Sequence, residues 1–323
     1  MTATTLTGPF LDALRPMERE LQKAVSQAEP EKAIEIATKI QALFGNDRTH
    51  HRLLKSKLWA YEACVDANRL NYAESGLVGI RRLARRSTRL HLEASALLAV
   101  SLLRQKKAVE AKKIIREVIE NINNIASDRT RHQFQRRFIE RVEEECILAE
   151  MIGVDDGALK PAEIESKAIL LLQHNSDEEI LKLIGNSVPT AGILLLKDVR
   201  NYSLNLLPAP DRKLLPPPAK AEEPKNIGRT TFALLRRIAW KTFCKPSSPI
   251  YKLWSQRIPK VFNDGYFSAA VIATLGEYRI GLPLIASGLA ALAMKYSAEE
   301  FCELAKPKGL MIARNDISGR EDR

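Results

Sequence analysis

Residues 96–121 read ALLAVSLLRQKKAVEAKKIIREVIEN, two helix-forming runs joined by the polar turn Arg104–Lys107. In the second run, apolar residues follow Ala111 at three, four and seven positions, which puts one buried stripe on a helix. The same spacing begins at Ala33 in EKAIEIATKIQALF and at Gly76 in AESGLVGIRRLA. Three such runs predict a series of stacked helical hairpins, an architecture that usually binds macromolecules rather than transforming small ones.

The composition favours an all-α fold. The chain has 323 residues, of which 45% are hydrophobic and only 6% aromatic. Helix-forming residues dominate, and the Val/Ile/Thr alternation of strands is nearly absent. Because 323 residues more often form two domains than one, we predict four ranges: a helical-hairpin stack over 1–206, a Pro-rich linker over 207–227, a C-terminal helical domain with an apolar hairpin over 228–310, and a disordered tail over 311–323.

The first hairpins resemble the tetratricopeptide-repeat family over about residues 30–130. The third hairpin carries the clearest likeness, because Ala111 stands where the family places the small residue of its second helix. Ala33, Gly76 and Ala111 are 43 and 35 residues apart, against a family period of about 34. The resemblance implies an α-solenoid that binds other proteins.

Local signals predict several further elements. Further helices are expected at about 130–152, 161–174 and 177–186, and the five prolines between Leu207 and Pro218 predict an extended segment. A basic amphipathic helix is expected in GRTTFALLRRIAWKTFCK (228–245), with Thr230 or Thr231 as its cap. Asn263-Asp264-Gly265 is a strong turn signal.

Positive charge is concentrated in the hairpin region. The net charge is +11. Residues 51–140 carry 19 Lys/Arg against 9 Asp/Glu, whereas residues 141–200 carry 6 against 12. On a single helix, Arg82, Arg86 and Arg89 would share one face, and guanidinium groups at that spacing could bridge successive phosphates. The candidate binding residues are Arg81, Arg82, Arg85, Arg86, Arg89, Arg104, Lys106 and Lys107, and Lys112 and Lys113 would extend the stripe.

The favoured function is a non-enzymatic interaction, scaffold or assembly protein. Its partner would be another protein or a second copy of this chain, because the basic 51–140 block of one copy could meet the acidic 141–200 block of the next. The first alternative is a nucleic-acid-associated protein that uses Arg81–Arg89. No aromatic stacking platform accompanies the arginines, which counts against this alternative.

The most apolar stretch is Ile280–Met294, IGLPLIASGLAALAM. It is shorter than the roughly 20 residues of a spanning helix, so a buried core helix is the first interpretation. A membrane-acting effector that inserts this helix is the second alternative, since the basic helices before it carry interfacial aromatic residues. The residues concerned are Ile280, Leu282, Leu284, Ile285, Leu289 and Leu292.

Nothing in the chain matches a motif that announces catalysis. No Gly-rich phosphate loop, nucleophile elbow or paired His ligand spacing occurs, so we expect no catalytic residue, no cofactor and no metal site. Cys64, Cys146, Cys244 and Cys302 are far apart, a pattern typical of reduced thiols in a cytosolic protein. The expected location is therefore cytoplasmic, with membrane association under the second alternative.

Overall fold

The computed structural model describes residues 6–213, 215, 217–256, 266–306 and 309–311. Within these ranges the chain is helical and has no β-strand, only an isolated bridge between Asp155 and Gly281. The all-α prediction is confirmed. The turn predicted at Asn263-Asp264-Gly265 and residues 312–323 of the predicted tail lie outside the described residues.

Packing divides the chain into two compact units, and the division falls within a long helix, after Arg141. The first unit runs to Arg141 and includes Asn205–Pro208 and residues 309–311; the second comprises Val142–Leu204 and the described residues of 209–307. The helices before the division are α1 Gly8–Ser26, α2 Pro30–Phe44, α3 His51–Asp66, α4 Leu70–Leu83, α5 Arg89–Arg104 and α6 Ala108–Glu120, and α7 Asp128–Met151 contains it. After it come α8 Pro161–His174, α9 Asp177–Asn186, α10 Thr190–Leu206, α11 Ala209–Arg212, α12 Pro218–Ala221, α13 Pro224–Phe243, α14 Pro249–Ser255, α15 Tyr266–Glu277, α16 Pro283–Ala293 and α17 Ala298–Ala305.

The first six helices form three hairpins whose turns are alike. Each turn has a non-glycine residue with positive φ, namely Ala28, Asn68 and Lys106. In each, the next residue donates its N–H to the carbonyl five positions earlier, in the pairs Glu29 to Ala24, Arg69 to Cys64 and Lys107 to Leu102. This left-handed C-terminal motif satisfies the last carbonyls of one helix while the chain reverses into the next.

The matching turns correct the predicted repeat alignment. Four residues after each turn a buried alanine donates its N–H back to the turn, and these alanines are Ala33, Ala73 and Ala111. The structural equivalent is therefore Ala73, not Gly76, and the spacings become 40 and 38 residues. Gly76 has a different role: a side chain there would overlap the ring of Tyr61, with its Cβ only 2.1 Å from a ring carbon.

The second unit is built around α13, which packs against α9, α15 and α17. The helices α9 and α13 approach through Gly185 and Gly228, where an added Cβ would lie within 2 Å of a backbone carbonyl oxygen of the other helix. α13 begins at Pro224, so the predicted cap at Thr230 or Thr231 is wrong. Both threonines lie inside the helix and donate their hydroxyls to carbonyls four residues earlier.

The segment 207–227 is not extended throughout. Its described residues include the short helices α11 and α12, and Leu207, Asp211 and Ala221 are buried. Tertiary contacts thus override the local preference of the prolines. The four predicted domain ranges stay a prediction.

Two of the four cysteines are paired, so the reduced-thiol prediction is wrong for them. Cys244 and Cys302 form a disulfide within the second unit. They follow Phe243 and Phe301, whose rings pack 5.5 Å apart at their centroids, and this contact brings the thiols together across 58 residues of sequence. Because structural disulfides are rare in cytosolic proteins, the predicted cytoplasmic location loses the support that cysteine usage gave it.

A buried carboxyl group joins α3 to the C-terminal segment of the first unit. Both Glu62 oxygens accept a hydrogen bond from the Met311 N–H, at 3.2 and 3.3 Å. Gly309 allows this approach, because a Cβ there would lie 2.8 Å from Glu62 Oε1. Burial, reinforced by the neighbouring Asp66, raises the pKa of Glu62 to about 8. Near it, Arg141 and Asp66 form an ion pair of 2.6 Å.

This carboxyl group predicts a pH-dependent stability. The folded-state pKa lies above the ordinary value of 4.5, so the folded chain holds a proton that the unfolded chain loses between pH 5 and 8. The unfolding free energy should therefore fall across that window, by roughly 3 kcal/mol, and level off above it. Urea unfolding of the wild type and of Glu62→Gln from pH 5 to 9 measures the effect, since glutamine keeps an acceptor for Met311 but does not titrate. Parallel pH profiles for the two proteins would contradict this account.

Candidate functional site: an arginine-lined cavity

The predicted arginine cluster spans a helix end, a loop and a helix start. α4 ends at Leu83, and Ala84 is extended, with φ −83° and ψ 137°. Thr88 caps α5, where its hydroxyl accepts the His91 N–H at 3.3 Å. The prediction that Arg82, Arg86 and Arg89 share one helical face is therefore wrong, because the Ser-Thr start signal ends the helical run between them.

The loop brings the arginines together in another way. A cavity of about 810 Å³ lies in the first unit, between the end of α4, the start of α5 and the end of α6. This volume is within the range of small-ligand sites. Its charged or titratable lining residues are Arg81, Arg82, Arg85, Arg86, His91 and Glu117.

One of these arginines is fixed at the cavity wall. Arg81 Nη2 donates to both oxygens of Glu117, at 2.9 and 2.7 Å. His91 lies beside the pair, with Nε2 3.1 Å from Glu117 Oε1 and Nδ1 3.1 Å from the Arg81 carbonyl oxygen. Burial by itself raises the pKa of Glu117, but the hydrogen bonds from Arg81 and His91 outweigh it and hold that pKa below its usual value. Glu117 is therefore ionised at neutral pH and orients the Arg81 guanidinium.

The remaining arginines keep their charge available. Arg82, Arg85 and Arg86 are exposed, and within the described ranges their side chains have no hydrogen bond or ion pair. Arg81 Nε is buried and, in the same part of the chain, also has no hydrogen-bond partner. Four arginines against one glutamate give the lining a net charge of +3 before His91 is counted.

The other predicted basic residues lie elsewhere. Arg89 donates Nε to Glu93 at 2.6 Å. Arg104 is 4% exposed and donates to the Val65 carbonyl at 2.5 Å, so it is a structural group and not a surface cation. Lys106 and Lys107 lie at the far end of α5, about 24 Å along a helix of 16 residues, and Lys107 pairs with Glu74. The predicted stripe is thus interrupted between the cavity and the turn that carries Lys106 and Lys107.

The acidic block has partners of its own within the second unit. Arg200 forms two hydrogen bonds with Glu143, at 2.7 and 3.2 Å. Arg237 reaches Glu144 and Glu145, at 2.8 and 2.9 Å. Three acids of the predicted self-assembly surface are therefore already paired with arginines within the chain.

The apolar candidates form part of the core of the second unit. Ile280, Leu282, Ile285, Leu289 and Leu292 are at most 5% exposed, while Leu284 is 40% exposed. α16 packs against α8, α9 and α15. In the described ranges no single helix combines the length and hydropathy of a membrane span, although α9 and α10, bent by 98°, satisfy that test as a pair.

No protein-family model, no curated protein and no solved structure matches this chain. The hairpins and the arginine-lined cavity are therefore the features that indicate a function. The sequence did not point to two of the residues that line the cavity, His91 and Glu117. They lie 26 residues apart and carry no motif, so only the antiparallel packing of α5 and α6 reveals them.

Two substitutions separate the structural arginine from the exposed ones. Arg104→Met should lower the unfolding free energy by about 1–3 kcal/mol, because it removes a buried, charged donor of the Val65 carbonyl and leaves that oxygen with the Asn68 N–H. Arg86→Gln should change it by less than about 0.5 kcal/mol, as expected for an exposed side chain without a partner. Denaturant unfolding of both variants checks this. A large loss for Arg86→Gln, or none for Arg104→Met, would show that the two roles are misassigned.

Proposed function

We propose that this chain is a non-enzymatic interaction protein with tetratricopeptide-like hairpins, which binds a partner protein through the arginine-lined cavity. The observation that carries the proposal is the set of three available arginines, Arg82, Arg85 and Arg86, at one cavity beside a fixed fourth. Such a site supplies charge and directional donors, and its one carboxylate, Glu117, is already hydrogen-bonded to Arg81 and His91. Binding rather than catalysis is what this combination supports.

The hairpins support the repeat part of the proposal. Three equivalent turns and three equivalent buried alanines indicate one unit used three times. The contacts between helices also support a solenoid, because α3 contacts both α1 and α5, and α2 and α4 each contact the first helix of the next hairpin. Repeat arrays of this kind usually present a surface to another macromolecule.

A compact acidic group fits the cavity better than an extended nucleic-acid backbone does. Binding to a duplex would need a row of cations facing successive phosphates. Here Arg104 is buried and Lys107 is paired, which interrupts the predicted row along α5. We therefore favour a protein partner, which includes a second copy of this chain, over nucleic acid.

Affinity capture with matched variants tests the proposal. The bait is the full chain, as wild type, as Arg82→Gln/Arg85→Gln/Arg86→Gln, or as Lys23→Gln/Lys106→Gln/Lys113→Gln. The two triple variants remove the same charge, but none of the three lysines lines the cavity. We expect a protein retained by the wild type and the lysine variant after nuclease treatment, and reduced at least tenfold by the arginine variant.

Two outcomes would overturn the proposal. Equal retention by the two triple variants would mean that the cavity is not the binding site. Loss of all retention after nuclease treatment would identify nucleic acid as the partner instead. Sedimentation of the purified chain at low and high salt decides whether the partner is a second copy.

A further inference from the structure

The chemistry of the cavity indicates which anion it accepts. The available donors are three flexible guanidinium groups on a five-residue stretch, Arg82–Arg86, together with the fixed Arg81. Guanidinium is a planar donor fork that matches the paired oxygens of carboxylate and phosphate. Several guanidinium groups around one cavity are matched by a ligand with more than two oxygens and more than one negative charge.

We propose that the cavity binds a phosphate monoester as its dianion, with Arg82, Arg85 and Arg86 as its main ligands. This inference rests on the proposed function and names the chemical group that the partner presents. A phosphate monoester carries about −1.5 to −2 charges at pH 7 and three acceptor oxygens. It therefore balances much of the +3 charge of the lining, which a single carboxylate cannot do.

Arg81 contributes as a positioned group. Both oxygens of Glu117 accept hydrogen bonds from Arg81 Nη2. The Nε atom of Arg81 is buried and has no hydrogen-bond partner in the described part of the chain. Arg81 therefore contributes positive charge at the cavity wall, while the three exposed arginines supply the donors that contact the anion.

The local helix ends do not favour an anion. α5 directs its N-terminal end, with partial positive charge, towards the cavity, but α4 and α6 both end there with partial negative charge. The Arg81 carbonyl of α4 is already occupied by His91. The guanidinium groups therefore determine the selectivity, and it should depend on the number of charges and oxygens of the ligand.

A phosphodiester is a poorer match. It carries one negative charge and two free oxygens, and a nucleic-acid strand gains affinity by engaging many phosphates in succession. Of the other predicted basic residues, Arg89 is paired with Glu93, and Lys106 and Lys107 are at the other end of α5, so these residues do not continue a row of phosphate ligands from the cavity. A monoester needs only the one cluster.

Calorimetric titration of the purified full chain tests the inference without any partner. The probes are inorganic phosphate, a short peptide with one phosphoserine, the same peptide with glutamate at that position, and a twelve-nucleotide single strand. We expect the phosphoserine peptide to bind at least tenfold more tightly than the glutamate peptide. Arg82→Gln/Arg85→Gln/Arg86→Gln should weaken phosphoserine binding at least tenfold, and the lysine triple variant should stay within about twofold of the wild type.

Two further measurements test whether weaker phosphoserine binding is caused only by unfolding of the variant or only by the loss of positive charge. Circular dichroism must give the same helical signal for the triple arginine variant as for the wild type. Arg82→Lys/Arg85→Lys/Arg86→Lys keeps the charge but removes the donor forks, so it should bind more weakly than the wild type and more tightly than the glutamine variant.

Each outcome has a definite meaning. Equal affinity for the glutamate and phosphoserine peptides, undiminished binding by the triple glutamine variant, or tighter binding of the oligonucleotide than of the phosphopeptide would overturn the inference. Binding of inorganic phosphate without the peptide supports the anion site and assigns it to a small phosphorylated molecule. Selective phosphoserine binding with no variant-dependent partner capture would support this inference while the proposed function fails.

Discussion

The left-handed residue in each hairpin turn is the constraint on which the first unit depends. Ala28, Asn68 and Lys106 adopt φ values of 49°, 62° and 58°, a conformation that costs most L-residues about 1–2 kcal/mol. The unit tolerates this cost three times because each turn satisfies the carbonyls at the end of one helix and aligns the next helix antiparallel to it. The buried alanine that follows each turn then lets the two helices approach closely.

The position of the arginine cavity follows from this constraint. Identical turns place all three hairpin reversals at the same end of the helices, so the connections between hairpins lie at the other end. The α4–α5 connection carries Arg85 and Arg86, and the end of α6 brings Glu117 to the same place. The site is thus produced by the repeat geometry, and neither the arginines nor the glutamate would define it without the reversals.

Much of the fold was predictable because its signals are local. Pro30 begins α2, Asp177 begins α9, and the apolar spacing locates most other helices within a few residues. The errors come from long-range packing or from competing local signals. Thr88 ends the arginine-rich helix earlier than its charge spacing suggests. The contact between Phe243 and Phe301 pairs two cysteines that the sequence separates by 58 residues.

The candidate site was predictable in part. The arginines at positions 81, 82, 85 and 86 were identified from charge density alone, and they do line one cavity. Burial of Arg104 and pairing of Lys107 could not be inferred, because both depend on contacts with helices that lie 30 to 40 residues earlier in the chain. Without these two groups the predicted stripe is interrupted, and the four arginines that line the cavity remain together.

The most direct measurement of the central constraint compares two glycine substitutions of exposed lysines. Lys106 has positive φ in a turn, whereas Lys113 lies inside α6. Lys106→Gly should raise the unfolding free energy by up to about 1 kcal/mol, because glycine adopts the left-handed conformation without strain. Lys113→Gly should lower it by about 1 kcal/mol, because glycine is a poor helix former. Urea unfolding that gives the two opposite signs supports the account, and a loss of stability in both variants would contradict it.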